Sequence, residues 1–223
     1  MAGRNSYTLE NEKLWRRGVA YLRRNDRRLA KVLDAADYKK IELDADYYGA
    51  LIESIIFQQL AGNAARAILG RFKNIYGGRI PKPPEFLHTD EKVVRGAGIS
   101  PQKYSYIKDL CEMMERGVLE LEALEKMGDD EVIKSLSRVR GIGRWTAEMF
   151  LIFCLGRPDV MPADDLGIRK AIQKVYRLRT IPDRKRVELL SKKWHPYCSV
   201  ATLCLWANQD AKAGKDGNDY FGD

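Results

Sequence analysis

The stretch Ser137–Phe150, "SRVRGIGRWTAEMF", decides how this chain folds. Gly141 and Gly143 stand two apart with Ile142 between them, and Trp145 follows almost at once. Ahead of the glycines, "GDDEVIKSLSRV" opens on acids and repeats apolar residues at helical spacing. Behind them, "RWTAEMFLIFCLG" is a second, strongly apolar helical pattern. Helix, glycine corner, helix is a helix–hairpin–helix. Glycine lets the backbone turn sharply and lets another group come close. The second helix starts right after Gly143, and the N–H groups of its first turn point outward, where they bind an anion, phosphate above all. Ile142 anchors the turn in the core, and Arg140 and Arg144 add positive charge. Arg140, Gly141, Ile142, Gly143 and Thr146 form the candidate phosphate-binding hairpin, a grip that positions a nucleic-acid backbone without reading its sequence. An ordinary αα-corner with a glycine stop is the plain alternative.

Outward from the hairpin the chain reads as helices nearly everywhere. Trp15, Val19 and Leu22 recur at helical spacing. "DADYYGALIESIIFQQL" begins with acids fit to cap a helix, and "GNAARAILGRF" resumes a helix after Ala61-Gly62. Pro81, Pro83 and Pro84 predict a loop. In "SPQKYSYIKDLCEMMERG", Ser100 is placed as N-cap, Pro101 as the first helical residue and Gly117 as the stop. "DDLGIRKAIQKVY" and "PYCSVATLCLWANQD" are two more helices. No segment alternates with period two for long, so the fold class is all-α. The Gly- and Asp-rich stretch 211–223 is expected to be a flexible tail.

The formal net charge of +8 is unevenly spread. Residues 1–40 hold eleven Lys/Arg against five Asp/Glu, residues 169–193 ten against two, and residues 109–131 reverse this with nine acids against two bases. Such polarity suits docking a polyanion on one side, although solvated helix faces would show the same counts. No apolar run reaches the ~18 residues of a membrane span. The N-terminal residues lack an apolar secretory core, which predicts an intracellular protein. Cys111, Cys154, Cys198 and Cys204 form no CxxC pair and no metal-ligand spacing and read as buried thiols. His88 and His195 have no partner pattern and read as structural or surface residues rather than metal ligands.

"LSRVRGIGRWTAEMFLIFCLGRPDVMPADDLGIRKAI" resembles the helix–hairpin–helix DNA glycosylase superfamily with its downstream Gly/Pro…Asp element. Within it, the chain resembles the alkylpurine branch, 3-methyladenine DNA glycosylase II. "LIESIIFQQLAGNAARAILGRF", "GISPQKYSYIKDL" and "WHPYCSVATLCLWA" match further segments of that branch, and together the matches span roughly residues 45–210. The resemblance implies a two-lobed helical fold with the active-site cleft between the lobes. The expected lobes are about 61–176, carrying the hairpin, and 1–60 with 177–210. The N-terminal sheet domain of some relatives finds no room.

A glycosylase flips a nucleotide out of the duplex and cleaves its N-glycosidic bond. Positive charge develops on the sugar, and a fixed carboxylate stabilises it and orients water. "PADDLGIRKA" supplies Asp164 and Asp165 at a helix start, where negative charge is favoured. The residues alone leave capping and catalysis both open. The superfamily pattern Asp-x-x-Ile/Val falls on Asp165–Ile168, which makes Asp165 the implied catalytic residue and Asp164 a cap or support. Relatives that also nick the strand carry a Lys two residues after the second hairpin glycine, whose amine forms a Schiff base. Trp145 stands there, so no lyase activity is implied. Its indole face suits the positive charge of an alkylated purine. Trp145 and Trp206 are the implied base-pocket residues, with core packing the alternative for each. Met149, Leu166 and Ala207 stand where relatives place further aromatics.

The resemblance also places an apolar wedge at Leu60 of "QQL", with Gln59 reaching the orphaned base or groove edge; a buried helix-end Leu60 is the alternative. Where many relatives have Ser or His, Ala61 stands. No iron–sulfur cluster is implied, since only Cys198 and Cys204 lie in the relevant region. The resemblance requires no cofactor, and it leaves the hairpin open to Na+ or K+ on the carbonyls of Ser137, Val139 and Ile142. The expectation is therefore a monomeric, monofunctional glycosylase acting on alkylated purines in double-stranded DNA, in cytoplasm, nucleoid or nucleus. A glycosylase for deaminated or mismatched bases and a non-catalytic helix–hairpin–helix DNA-binding protein are the rival readings.

Overall fold

The computed structural model describes residues 9–35 and 43–213, and no strand occurs among them, Leu43 alone making an isolated bridge. The helices are α1 (Leu9–Asn25), α2 (Tyr47–Phe57), α3 (Gly62–Ile75), α4 (Pro83–Leu87), α5 (Glu91–Gly96), α6 (Pro101–Glu115), α7 (Asp129–Leu136), α8 (Arg144–Phe153), α9 (Leu166–Tyr176), α10 (Arg184–Ser191) and α11 (Cys198–Ala213). Helix ends follow side-chain chemistry. The Asp46 carboxylate accepts from Gly49 N–H at 2.9 Å and opens α2. Ser100 accepts from Lys103 N–H at 3.2 Å and opens α6, with Pro101 at the first helical position. Pro81 lies in a loop, as the sequence predicts, whereas Pro83 and Pro84, read from sequence as part of that loop, instead open the short helix α4. Pro83 and Pro84 fall in its first turn, where a missing N–H costs nothing.

The chain divides into two compact units. One holds the described residues up to Ala45 and from Leu151 onward; the other holds Asp46–Phe150. The division falls inside α8, away from the bounds expected at 60/61 and 176/177. Residues 46–60 join the hairpin's unit because α2 packs on α3 and α6. In the same way α9 leaves it, because α9 packs on α11. Of the tail expected at 211–223, the first three residues continue α11 to Ala213 and the rest lies outside the described residues.

The core of the Asp46–Phe150 unit is built on Ile52, Ile55 and Ile56 of α2 with Phe72, Phe86 and Ile107, all fully buried. The Phe72 and Phe86 rings lie 6.3 Å apart, and Phe86 meets Tyr104 at 5.4 Å. The other unit contains a buried polar centre. Asp26 Oδ2 accepts from the Tyr176 hydroxyl, from Trp194 Nε1 at 2.8 Å and from Lys193 Nζ at 3.1 Å. Its Oδ1 accepts from the N–H groups of Arg28 and Leu29 at 3.0 and 3.1 Å. Burial alone would raise this carboxyl; the hydrogen bonds from Trp194, Tyr176, Leu29 and Lys193 outweigh it and hold the pKa below the ordinary value. Asp26 thereby joins the end of α1 to the end of α9 and to the turn before α11.

Candidate active site

Asp165 is the N-cap of α9, with φ −63° and ψ 121°. Its Oδ1 accepts from Ile168 N–H at 2.6 Å and from Trp206 Nε1 at 3.2 Å. Trp206 comes from α11, and its ring stacks on buried Phe153 with centroids 6.0 Å apart and planes 19° apart. A carboxylate held by two N–H groups, one of them on a ring that is itself stacked, has little freedom to turn. Gly167 belongs to the same arrangement. A Cβ there would lie 3.0 Å from Asp165 Oδ1 and 3.3 Å from Trp206 Nε1, so any side chain would press on that bond. The Gln209 amide donates to the Gly167 carbonyl. Leu166, beside Asp165, is 52% exposed. Asp164 has a different environment. It is exposed, accepts from Arg184 Nη1 at 2.7 Å, and does not cap the helix. The cap must reach the N–H three residues on, and Asp165 fills that position.

The hairpin joins α7 to α8. Gly141 has φ +83°, the left-handed region that glycine enters without strain. It is also crowded: a Cβ there would meet Tyr106 Cδ2 at 2.0 Å. Gly143 has ordinary φ, and its Cβ would meet nothing within 4 Å. The fold therefore needs a glycine at 141, whereas a side chain at 143 would meet only open space. Ile142 is 3% exposed, and its N–H donates to Val139 O at 3.1 Å. The first turn of α8 closes with Ala147 N–H on Gly143 O at 3.1 Å, so the N–H groups preceding it face out of the helix end. Thr146, in the first turn of α8, is buried. Trp145, on the same turn, is exposed at 37% and is not a core residue.

Both hairpin arginines are engaged in ion pairs. Arg140 Nε and its N–H reach Asp109 Oδ1 and Oδ2 at 3.1 and 2.8 Å. Arg144 Nε reaches buried Glu148 at 2.8 Å.

Between α2 and α3, Gln58 is extended, Gln59 takes φ +57°, and Leu60 N–H donates to Phe57 O at 3.3 Å. A left-handed non-glycine residue stores roughly 1–2 kcal/mol of strain, which the surrounding structure must hold in place. Gln59 is exposed and Leu60 half-buried. This loop is tied to the hairpin, since Gln58 Nε2 donates to Gly141 O at 2.8 Å.

Residues 52–196 match the family described as HhH-GPD superfamily base excision DNA repair protein. The chain belongs to this family. It is 40% identical over 161 residues to DNA-3-methyladenine glycosylase 1 of Schizosaccharomyces pombe, covering 71% of each chain. It is 31% identical over 212 residues to DNA-3-methyladenine glycosylase of Saccharomyces cerevisiae, covering 78% of this chain and 71% of that one. A solved Schizosaccharomyces pombe 3-methyladenine DNA glycosylase in complex with abasic DNA superposes with a TM-score of 0.74 at 34% identity, over 87% of this chain and 97% of that chain. A DNA-3-methyladenine glycosidase from Bacillus halodurans superposes with a TM-score of 0.75 at 33% identity, over 91% of each.

In this HhH-GPD chain one face of α6 holds both loops in place. Lys103 Nζ donates to Ile56 O at 2.6 Å, ahead of the Gln58–Leu60 loop, and burial lowers the Lys103 pKa. Tyr106 packs on Gly141, and Asp109 holds Arg140. Residues three and six apart lie along one helix face, so 103, 106 and 109 act as a strip. Sequence reasoning missed this strip and Gln58, and it missed Gly167 and Phe153 behind Asp165. The signals present were the matched segments that contain Gln58 and the strip, to which no role was assigned, and a glycine inside a helical pattern at 167. Among the described residues no helix is long and apolar enough to cross a membrane.

Proposed function

We propose that this protein is a monofunctional DNA glycosylase that hydrolyses the N-glycosidic bond of alkylated purines, of the 3-methyladenine and 7-methylguanine type, in duplex DNA. The observation that carries this reading is the Asp165 carboxylate, fixed at the start of α9 by Ile168 N–H and the Trp206 indole. When the C1′–N bond breaks, its electrons leave with the base and the sugar becomes cationic. A preoriented carboxylate stabilises that cation, and water then adds at C1′ and gives up a proton. An alkylated purine already carries positive charge and leaves readily, so no strong general acid is required.

The names of the relatives support the alkylated-base class. The exposed face of Trp145 suits a cationic base. Trp145 carries no amine, so the strand is left intact at the abasic site. Leu60 fills the gap left by the flipped nucleotide, and Gln59 contacts the orphaned base or groove edge. The backbone at Gly143 and the start of α8 holds a phosphate. Na+ or K+ on the carbonyls of Ser137, Val139 and Ile142 is part of the same proposal; Val139 O already accepts from Ile142 N–H and keeps a second lone pair for a cation. The enzyme works as a monomer wherever the DNA lies.

Incubation with duplexes carrying single lesions tests the reading. Release of free 3-methyladenine, with no protein–DNA adduct trapped by borohydride, supports it. Release only of deaminated or mismatched bases moves the chain to another glycosylase class. DNA binding without release of any base makes it a binding protein.

A further inference from the structure

The structure brings Asp159 against His195 and Cys198, which lie more than thirty positions further along the chain, and all three side chains are of types that can ligate a metal. Asp159 lies in the loop after α8, His195 in the turn before α11, and Cys198 at the first residue of α11. One ligand atom from each lies within 4.8 Å of the other two. His195 Nδ1 is 2.8 Å from Asp159 Oδ2 and 3.6 Å from Cys198 Sγ. For a tetrahedral ion bound by sulfur at ~2.3 Å and imidazole nitrogen at ~2.0–2.1 Å, the S···N edge is about 3.6 Å. The observed edge already has that length. The N···O edge needs to open by about half an ångström, which rotation of the exposed imidazole supplies.

The backbone under these ligands is well fixed. Ser199 N–H donates to Pro158 O at 3.0 Å, Ser199 Oγ donates to Arg157 O at 2.6 Å, and Val160 N–H donates to Ser199 Oγ at 2.9 Å. Asp159 Oδ1 accepts from Cys198 N–H at 3.1 Å, which orients the carboxylate. Tyr197 N–H closes the preceding turn on Trp194 O at 2.8 Å. The thiol is buried while the His195 side chain is 51% and the Asp159 side chain 31% exposed, so an ion can enter from solvent and keep a water as its fourth ligand.

We propose that Asp159 Oδ2, His195 Nδ1 and Cys198 Sγ form a binding site for a borderline divalent metal of the Zn2+ class. Mixed sulfur, imidazole and carboxylate donors in tetrahedral array select such ions over Mg2+ or Ca2+, which take oxygen ligands. On binding, the thiol proton leaves to solvent and the imidazole proton resides on Nε2. The site ties the loop after α8 to the start of α11, the helix that carries Trp206, and it is independent of the glycosylase reading.

The test adds one equivalent of Co2+, then Zn2+, to the full chain in chelator-free buffer. The proposal expects a near-ultraviolet thiolate-to-cobalt absorption band that one equivalent of Zn2+ abolishes, together with a higher Tm with Zn2+. Cys198→Ser should lose the band, and His195→Ala, at an exposed position, should weaken binding at least ~10-fold, the scale on which even indirect ligand support matters. Cys111→Ser should keep it. The site is overturned if wild type gives no band at micromolar Co2+, or if folded Cys198→Ser and His195→Ala bind as wild type does.

Discussion

Replacing each hairpin glycine in turn separates what the fold needs from what the ligand needs. Gly141→Ala places a methyl on a residue with φ +83° and 2.0 Å from Tyr106 Cδ2. The left-handed conformation costs an L-residue about 1–2 kcal/mol. Overpacking adds about 1–3 kcal/mol, since Tyr106 is met at the root of its ring and cannot simply swing its tip away. At about 2–4 °C per kcal/mol for a chain of this size, Tm should fall by about 10 °C. Gly143→Val meets open space at normal φ, and as a poorer helix cap it costs about 1 kcal/mol or less. Its effect is on DNA. A bulky side chain there keeps a phosphate from the first turn of α8, and a hydrogen bond to a charged group is worth about 1.5–3 kcal/mol. Affinity for abasic duplex should fall roughly 10- to 150-fold, alike for every sequence. Thermal denaturation and fluorescence anisotropy on both variants read the two effects. A Gly141→Ala protein as stable as wild type would refute the steric argument, and a folded Gly143→Val protein with wild-type affinity would refute the phosphate grip.

Asp165→Asn should lower excision by roughly 10²-fold or more in single-turnover assays, the scale of one lost transition-state contact, while keeping affinity for an abasic analogue. Asp164→Asn should stay near wild type, because it loses only an exposed pair with Arg184, worth about 0–1 kcal/mol; a dead Asp164→Asn with an active Asp165→Asn would shift the catalytic assignment by one residue. Trp206→Phe keeps an aromatic ring on Phe153 but removes the N–H that holds Asp165, so kcat should fall about tenfold with KM little changed; a change in KM alone would mean that Trp206 binds base without positioning the carboxylate. Asp26→Asn should lower Tm at neutral pH. Because its folded pKa lies below the ordinary value of 3.8, the stabilisation is full above that value and is lost as pH falls through the folded pKa, so the two melting curves should converge in acid; a constant gap down to low pH would contradict the assignment.

Much of this protein was determined locally by its sequence. Helix caps such as Ser100 and Asp165 act within three residues, apolar periods of three and four act within a helix, and the pair Gly141 and Gly143 states a turn by itself. Those signals need no distant partner, so the all-helical class and the hairpin were legible as strings, whereas the choice of Asp165 over Asp164 as candidate carboxylate came from the family resemblance. The identical-looking glycines were not distinguishable until Tyr106, 35 positions upstream, was seen against Gly141 and nothing against Gly143. The unit bounds also waited for the packing of α9 on α11 and of α2 on α3 and α6. Asp26 with Tyr176 and Trp194, Gln58 with Gly141, Trp206 with Asp165, and Asp159 with His195 and Cys198 are contacts between residues that, His195 and Cys198 aside, lie more than thirty positions apart. Hydrogen-bond geometry and close packing depend on where backbones cross in space, and only the tertiary fold decides that.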